Sequence, residues 1–214
     1  MKHIFFILAF ALFTPLTAQA DYYVWKDAHS DIKLTYPDTW AQTSPYDPDT
    51  IVRVEAPGKD MAECKIRVRE DRRFLVYPQR YRAAIQEMAY SEDFWNDYLA
   101  SYDNVIMHRL DNGAGLGNAF ASLMTASYMS NHPLKGIHKT SIALAGLYRD
   151  KAVIYECSAR AEAFNNYQNM FQSILNSVEF DKEFHELPTG HNTEMQKGPM
   201  VQTRDPSDRY TSQY

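Results

Sequence analysis

Ile137-His138-Lys139-Thr140-Ser141-Ile142-Ala143-Leu144-Ala145-Gly146-Leu147 and Lys151-Ala152-Val153-Ile154-Tyr155-Glu156-Cys157-Ser158-Ala159 are two runs rich in Ile, Val, Leu, Ala and Tyr, three residues apart. Both read as strands, with Arg149-Asp150-Lys151 as the turn between them. Strands this close must be antiparallel, because a parallel pair needs a crossover of roughly a dozen residues or more. Two further strand-like runs precede them, 105–110 and 119–129. Asp111-Asn112-Gly113 is the expected hairpin turn there, and Gly113-Ala114-Gly115-Leu116-Gly117 is read as a flexible hairpin loop. That glycine string is spaced GxGxG rather than as a phosphate loop, and strand instead of helix follows it.

Upstream, Tyr81, Ile85, Met88, Trp95, Tyr98, Leu99 and Tyr102 recur at helical spacing after Pro78. Ser91-Glu92-Asp93 offers a restart with Ser91 as N-cap, so the segment is one helix or two. Before it, Ile32-Lys33-Leu34-Thr35-Tyr36, Ile51-Val52-Arg53-Val54-Glu55 and Cys64-Lys65-Ile66-Arg67-Val68-Arg69 alternate as strands. Pro57-Gly58-Lys59-Asp60 is the turn between the last two. Phe164, Tyr167, Phe171, Ile174 and Val178, spaced 3, 4, 3 and 4 apart, mark a closing helix. The order of strands, helix, four strands and helix predicts an α+β fold, an antiparallel sheet covered by two helices.

The ends differ in composition. Met1-Lys2-His3, a run of ten apolar residues over 4–13 and Ala18-Gln19-Ala20 make residues 1–20 a secretory signal peptide. The run is too short to span a bilayer. Cleavage would leave 194 of 214 residues, one domain's worth, assigned to 21–180. Residues 181–214, polar and without apolar period, read as a disordered tail. The expected address is secreted or periplasmic, with no membrane span after signal cleavage.

Ile32-Lys33-Leu34-Thr35-Tyr36-Pro37-Asp38-Thr39-Trp40 resembles the opening strand of the PsbP-like superfamily, where an aromatic-Pro-x-x-Trp segment follows the first core strand. Phe171-Gln172-Ser173-Ile174-Leu175-Asn176-Ser177-Val178-Glu179-Phe180 resembles that family's final helix and its Ser-hydrophobic-x-Phe ending. Together they span roughly residues 31–180. The resemblance implies an α/β/α sandwich around an antiparallel sheet, in a bacterial envelope protein that acts by binding. It carries over no catalytic residue.

Two cysteines, Cys64 and Cys157, remain in the mature chain, and an oxidising compartment makes them one disulfide. The whole chain carries a net charge of −5, more negative by one without Lys2, which argues against nucleic acid as a partner. Ser30-Asp31-Ile32-Lys33 matches SxxK but enters a strand and lacks companion motifs. The histidines show no metal-ligand spacing, and Glu87, Glu92, Asp93, Asp97 and Asp103 read as a solvated helix face, so neither metal nor cofactor is expected. No catalytic residue is assigned.

The local anomaly is basic. Between Lys65 and Arg82 stand seven basic residues against two acidic ones. Lys65, Arg67 and Arg69 share one strand face, opposite Cys64, Ile66 and Val68, and with Arg72 and Arg73 form the candidate binding surface. The partner would be another envelope or secreted protein, or an anionic polymer. The alternative is a strand face neutralised by the acidic helix that follows. An envelope-polymer hydrolase and a periplasmic immunity-type protein remain the competing functions. A polar pocket with convergent titratable groups would favour the hydrolase, and a lone aromatic- or Arg-rich patch the binder.

Overall fold

A computed structural model describes residues 21–180, apart from Asn118, His132, Pro133 and the side chain of Gln79. The leader and the 181–214 tail lie outside the described residues. The centre is a seven-stranded, wholly antiparallel sheet in the order β3-β4-β5-β9-β8-β7-β6. Its strands are β3 (Ala41–Gln42), β4 (Thr50–Glu55), β5 (Glu63–Glu70), β6 (Asp103–Leu116), β7 (Ala119–Ser130), β8 (Ile137–Tyr148) and β9 (Lys151–Arg160). A separate hairpin pairs β1 (Tyr22–Lys26) with β2 (Lys33–Pro37). Strand β1 was not foreseen: its side chains are mostly exposed, so no burial alternation announces it.

Alternation sorts the sheet into two faces. On one, Cys64, Ile66, Leu123, Leu144 and Tyr155 pack under the β1–β2 hairpin and α4 (Phe164–Asn176), whose Phe171 and Ile174 are fully buried. Trp40, at the end of the Tyr-Pro-x-x-Trp segment, meets Phe171 edge to face at 6.3 Å. On the other face, Met124, Ala126, Ala143, Ala145 and Ile154 receive α2 (Arg82–Ala89) and α3 (Glu92–Leu99). The small alanines let Trp95 and Leu99 sink onto the strands, and the Trp95 indole donates to Ser122 Oγ at 2.9 Å.

The stretch after Pro78 is thus two helices, broken at Tyr90 and restarted at Ser91, whose backbone is extended as an N-cap requires. A short α1 (Arg73–Val76) precedes them. Gln86 locks α2 to the sheet. Its amide donates to the Ala145 carbonyl at 2.9 Å and accepts from the Leu147 N–H at 2.8 Å, beyond the last β7 partner of β8.

One turn expectation is corrected. β6 runs through Asp111-Asn112-Gly113 and on to Leu116, so that triplet is not the hairpin turn, and of the glycine string only its last residue, Gly117, lies outside the strand. Asp111 does accept from the Gly113 N–H, but the turn chemistry appears as a register shift between Asp111 and Ala114 inside the strand. The chain reverses at Gly117, whose φ is +56° and against whose Cα Phe180 closes.

Candidate functional site

β5 and β9 are the pair that joins the two halves of the sheet, and their register decides the site. Cys64 lies directly opposite Cys157, and the two form a disulfide with Cα atoms 4.0 Å apart. One residue on, on the opposite face, that register sets Lys65 against Glu156, and Glu63 against Ser158. The face carrying Lys65 and Arg67 is roofed by the C-terminal part of α3 and the turn after it, leaving a cavity of about 540 Å³.

Its floor is a chain of ion pairs. Lys65 Nζ donates to Glu156 Oε2 at 3.1 Å, and Tyr98 and Tyr128 add their hydroxyls to the same carboxylate at 2.5 and 3.1 Å. Lys139 Nζ donates to Glu63 Oε1 at 2.5 Å, where Ser158 Oγ also donates at 3.3 Å. Arg53 Nε donates to Glu63 Oε2 at 2.7 Å and its Nη2 pairs with Glu55. Arg67 and Arg69 both grip Asp49, through Nε at 3.0 and 2.5 Å. Aromatic rings form the walls: Tyr102 stacks on Tyr128 at 4.2 Å, Arg53 lies over Tyr46 at 4.1 Å, and Arg67 over Tyr98 at 5.5 Å.

Burial makes these pairs interdependent. The side chains of Glu156 and Lys139 are only 2 % and 4 % exposed, so neither ion keeps water as its main partner. Burial pushes the Glu63 carboxyl up, but the Lys139 ammonium and the Arg53 guanidinium outweigh it and hold it at about 2. Desolvation of Glu156 is likewise overcome by Lys65 and by Tyr98, so its carboxyl stays below the usual range. Burial pulls Lys65 down, and Glu156 more than restores it. Burial and the Glu156 charge push the Tyr98 phenol up, and Tyr102 to about 12.

A pH dependence follows from Glu63. Its folded-state value lies below the unfolded one, so its contribution is complete above about pH 5, on the order of 3 kcal/mol, and is lost as pH falls through about 2. Urea denaturation between pH 6 and 2.5 is expected to show that slope, and Glu63→Gln to flatten it. An unchanged slope in the variant would mean that other carboxylates carry the acid sensitivity.

The structure brings Lys65, Arg67 and Arg69 to one face as the alternation required, but two of them face the cavity rather than open solvent. Lys65 and Arg67 side chains are each 16 % exposed, Arg69 51 %. Arg72 and Arg73 lie outside the cavity, paired with Glu70 and Asp71 at the end of β5 and the start of α1. The neutralising carboxylates belong to Asp49 and β9. The acidic residues of α2 and α3 do not supply them: Glu87, Glu92, Asp93 and Asp97 are exposed, as the solvated-face reading holds. Sequence reasoning missed Glu156, Glu63 and Lys139. Glu156 had a signal, a lone carboxylate in an otherwise apolar strand core.

No family model matches the chain, and no curated protein matches it. Solved structures do. The solution structure of cyanobacterial PsbP (CyanoP) from Synechocystis sp. PCC 6803 superposes with a TM-score of 0.52 at 10% identity, over 77% of this chain and 95% of that one. The crystal structure of LpqN, involved in cell envelope biogenesis of Mycobacterium tuberculosis, gives 0.51 at 13% identity, over 75% and 91%. Such identities speak for fold alone, and with the seven-stranded sheet sandwiched between helices they establish that this chain has the PsbP-like α+β fold.

Proposed function

We propose that the chain works outside the cytoplasm, in the periplasm, as a non-enzymatic binding or accessory protein. The roofed basic cleft is its binding site, with Lys65 and Arg67 inside, Arg69 at its exposed edge, and Arg72 and Arg73 beyond it. The leader-like start, the disulfide and the envelope role printed for the structural neighbour LpqN support the address. Among the described residues no helix is long and apolar enough to cross a membrane.

The observation that carries binding over catalysis is the state of the titratable groups in the cavity. General acid–base work wants a pKa near the working pH. Here the carboxyls of Glu63 and Glu156 are held low by lysines, and the phenols of Tyr98 and Tyr102 are held high. Ser158 Oγ lies 3.4 Å from Lys139 Nζ, a spacing a Ser–Lys nucleophile could use. That chemistry needs the amine turned to the serine as its acceptor, and Lys139 Nζ is instead engaged as a donor to Glu63 Oε1 at 2.5 Å. The site is polar and convergent, yet its groups are spent on one another.

The test is incubation of the mature protein with a purified anionic envelope polymer. Binding that weakens as salt rises, without release of soluble fragments, is expected; fragment release abolished by Ser158→Ala would overturn the reading in favour of the hydrolase. Arg69→Ser, at an exposed position, is expected to weaken binding while costing less than about 1 kcal/mol of stability. Arg67→Ser is expected to cost about 1–3 kcal/mol as well, because its largely buried guanidinium meets Asp49 through both Nε and Nη2. Binding unaffected by Arg69→Ser would place the interface elsewhere.

A further inference from the structure

Two members of the apolar series that marks the helical segment, Tyr81 and Met88, are not buried. Tyr81 is 46 % and Met88 72 % exposed, while α2 buries Ile85 and Gln86 on its other side. Ala84 stands between them along the helix and is exposed as well. Just before α2, α1 buries none of its residues, and its Leu75 and Val76 also face solvent. Single apolar residues on a surface need no explanation, but a grouped set marks an interaction site.

The pattern of the face names the partner. Helical positions seven apart lie two turns on along the same flank. With Ala84 at the centre of the outer face, Tyr81 and Met88 fall on one flank, and Arg80 and Glu87, both exposed, on the other. Arg80 belongs to the 3-10 turn, Gln79–Tyr81, that leads into α2. It lies over the Tyr81 ring at 4.8 Å, which holds the cation on this face while the ring keeps nearly half its surface open. Both pairs straddle Ala84. A second copy of α2, antiparallel and related by a twofold axis at Ala84, sets each flank against its own counterpart with the heights inverted. Tyr81 then meets the partner's Met88, and Arg80 the partner's Glu87, each contact occurring twice. Thioether against ring and guanidinium against carboxylate are both favourable pairings. At the crossing, the methyl of Ala84 lets the helix axes approach to about 8 Å, the close end of helix packing. An acidic partner or an anionic bilayer would satisfy Arg80 and oppose Glu87, whereas a copy of the same face satisfies both.

We propose that the outer face of α2 is a self-association surface, on which two copies of this chain pair antiparallel about Ala84. None of its residues lines the cleft, so this pairing and ligand binding stand or fall separately. The face is that of one eight-residue helix, smaller than the ~800 Å² per partner of a standard interface, so the dimer is a weak one, with a Kd on the order of 10–100 µM.

Sedimentation equilibrium of the mature protein from about 1 to 500 µM, a range that brackets that Kd, tests this. A reversible monomer–dimer equilibrium is expected. Ala84→Arg puts a bulky cation on the twofold axis and should abolish the dimer, with the circular dichroism spectrum retained. Should that variant fail to fold, Met88→Ser is expected to weaken dimerisation severalfold and decides in its place. Arg80→Glu and Glu87→Arg should each weaken the dimer about fivefold or more, because each sets like charges against one another. The two reversals in one chain should restore it to within about threefold of wild type. A monomer throughout the range, a dimer indifferent to Ala84→Arg, or single reversals that the double variant does not offset would overturn the proposal. So would co-sedimentation with phosphatidylcholine–phosphatidylglycerol vesicles that Met88→Ser abolishes, which would give the face to a bilayer.

Discussion

Lys65→Met is expected to destabilise the protein by about 3–5 kcal/mol at neutral pH, the cost of leaving a buried carboxylate without its counter-ion. Glu156 is almost fully buried, and the phenols of Tyr98 and Tyr128 alone do not cancel its charge. In the variant the Glu156 carboxyl should rise above its unfolded value. A group raised in that way favours the fold below the unfolded pKa and loses that contribution as pH climbs through the folded one. The deficit relative to wild type should therefore shrink toward pH 4 and be largest above pH 7. Lys65→Met with Glu156→Gln should recover more than half the loss, since the buried charge is gone while the amide oxygen accepts from one tyrosine and the amide NH2 donates to the hydroxyl oxygen of the other. Urea titrations at pH 4, 6 and 8 measure all three proteins. A Lys65→Met cost under about 1 kcal/mol, typical of an exposed pair, would mean that water reaches Glu156.

That pair shows how far the sequence could be read. Alternation in 63–70 and 151–159 was visible, and so was the expectation that the two cysteines, Cys64 and Cys157, pair. Those facts together already contain the register. If Cys64 faces Cys157 on antiparallel neighbours, Lys65 must stand opposite Glu156. What alternation cannot say is which face water reaches. The strand side with Lys65 and Arg67 looks solvated because its residues are charged, yet α3 roofs it, and the charges persist there because Lys65 meets Glu156 of β9 and Arg67 meets Asp49 in the turn before β4. Lys139 sits among Thr and Ser at the polar start of β8, where nothing local distinguishes a buried lysine from an exposed one. The glycine-rich segment of β6 misled for a related reason: turn chemistry acts on the local backbone, and pairing with β7 on one side was enough to absorb it as a bulge.

Replacing both cysteines, Cys64→Ala with Cys157→Ala, is expected to cost up to about 4–5 kcal/mol, the chain-entropy value for a loop of this length. The sequence separation of 93 residues is the reason. β5 must find β9 across three helices and the whole β6–β9 meander, and this is the long-range pairing that closes the sheet. With the bond in place the unfolded chain has already closed that loop and set the register that puts Lys65 beside Glu156. The loss should therefore appear mainly as slower refolding, with a smaller change in unfolding rate, because the crosslink acts on the unfolded ensemble. In a thermal scan it corresponds to a fall of roughly 10 °C or more, at about 2–4 °C per kcal/mol for a domain of this size. Thiol titration of the denatured, unreduced wild type should find no reactive cysteine. Two reactive thiols in that material would remove the premise. A stability loss expressed wholly in the unfolding rate would mean that the bond works by holding the native strands together, not by restricting the unfolded chain.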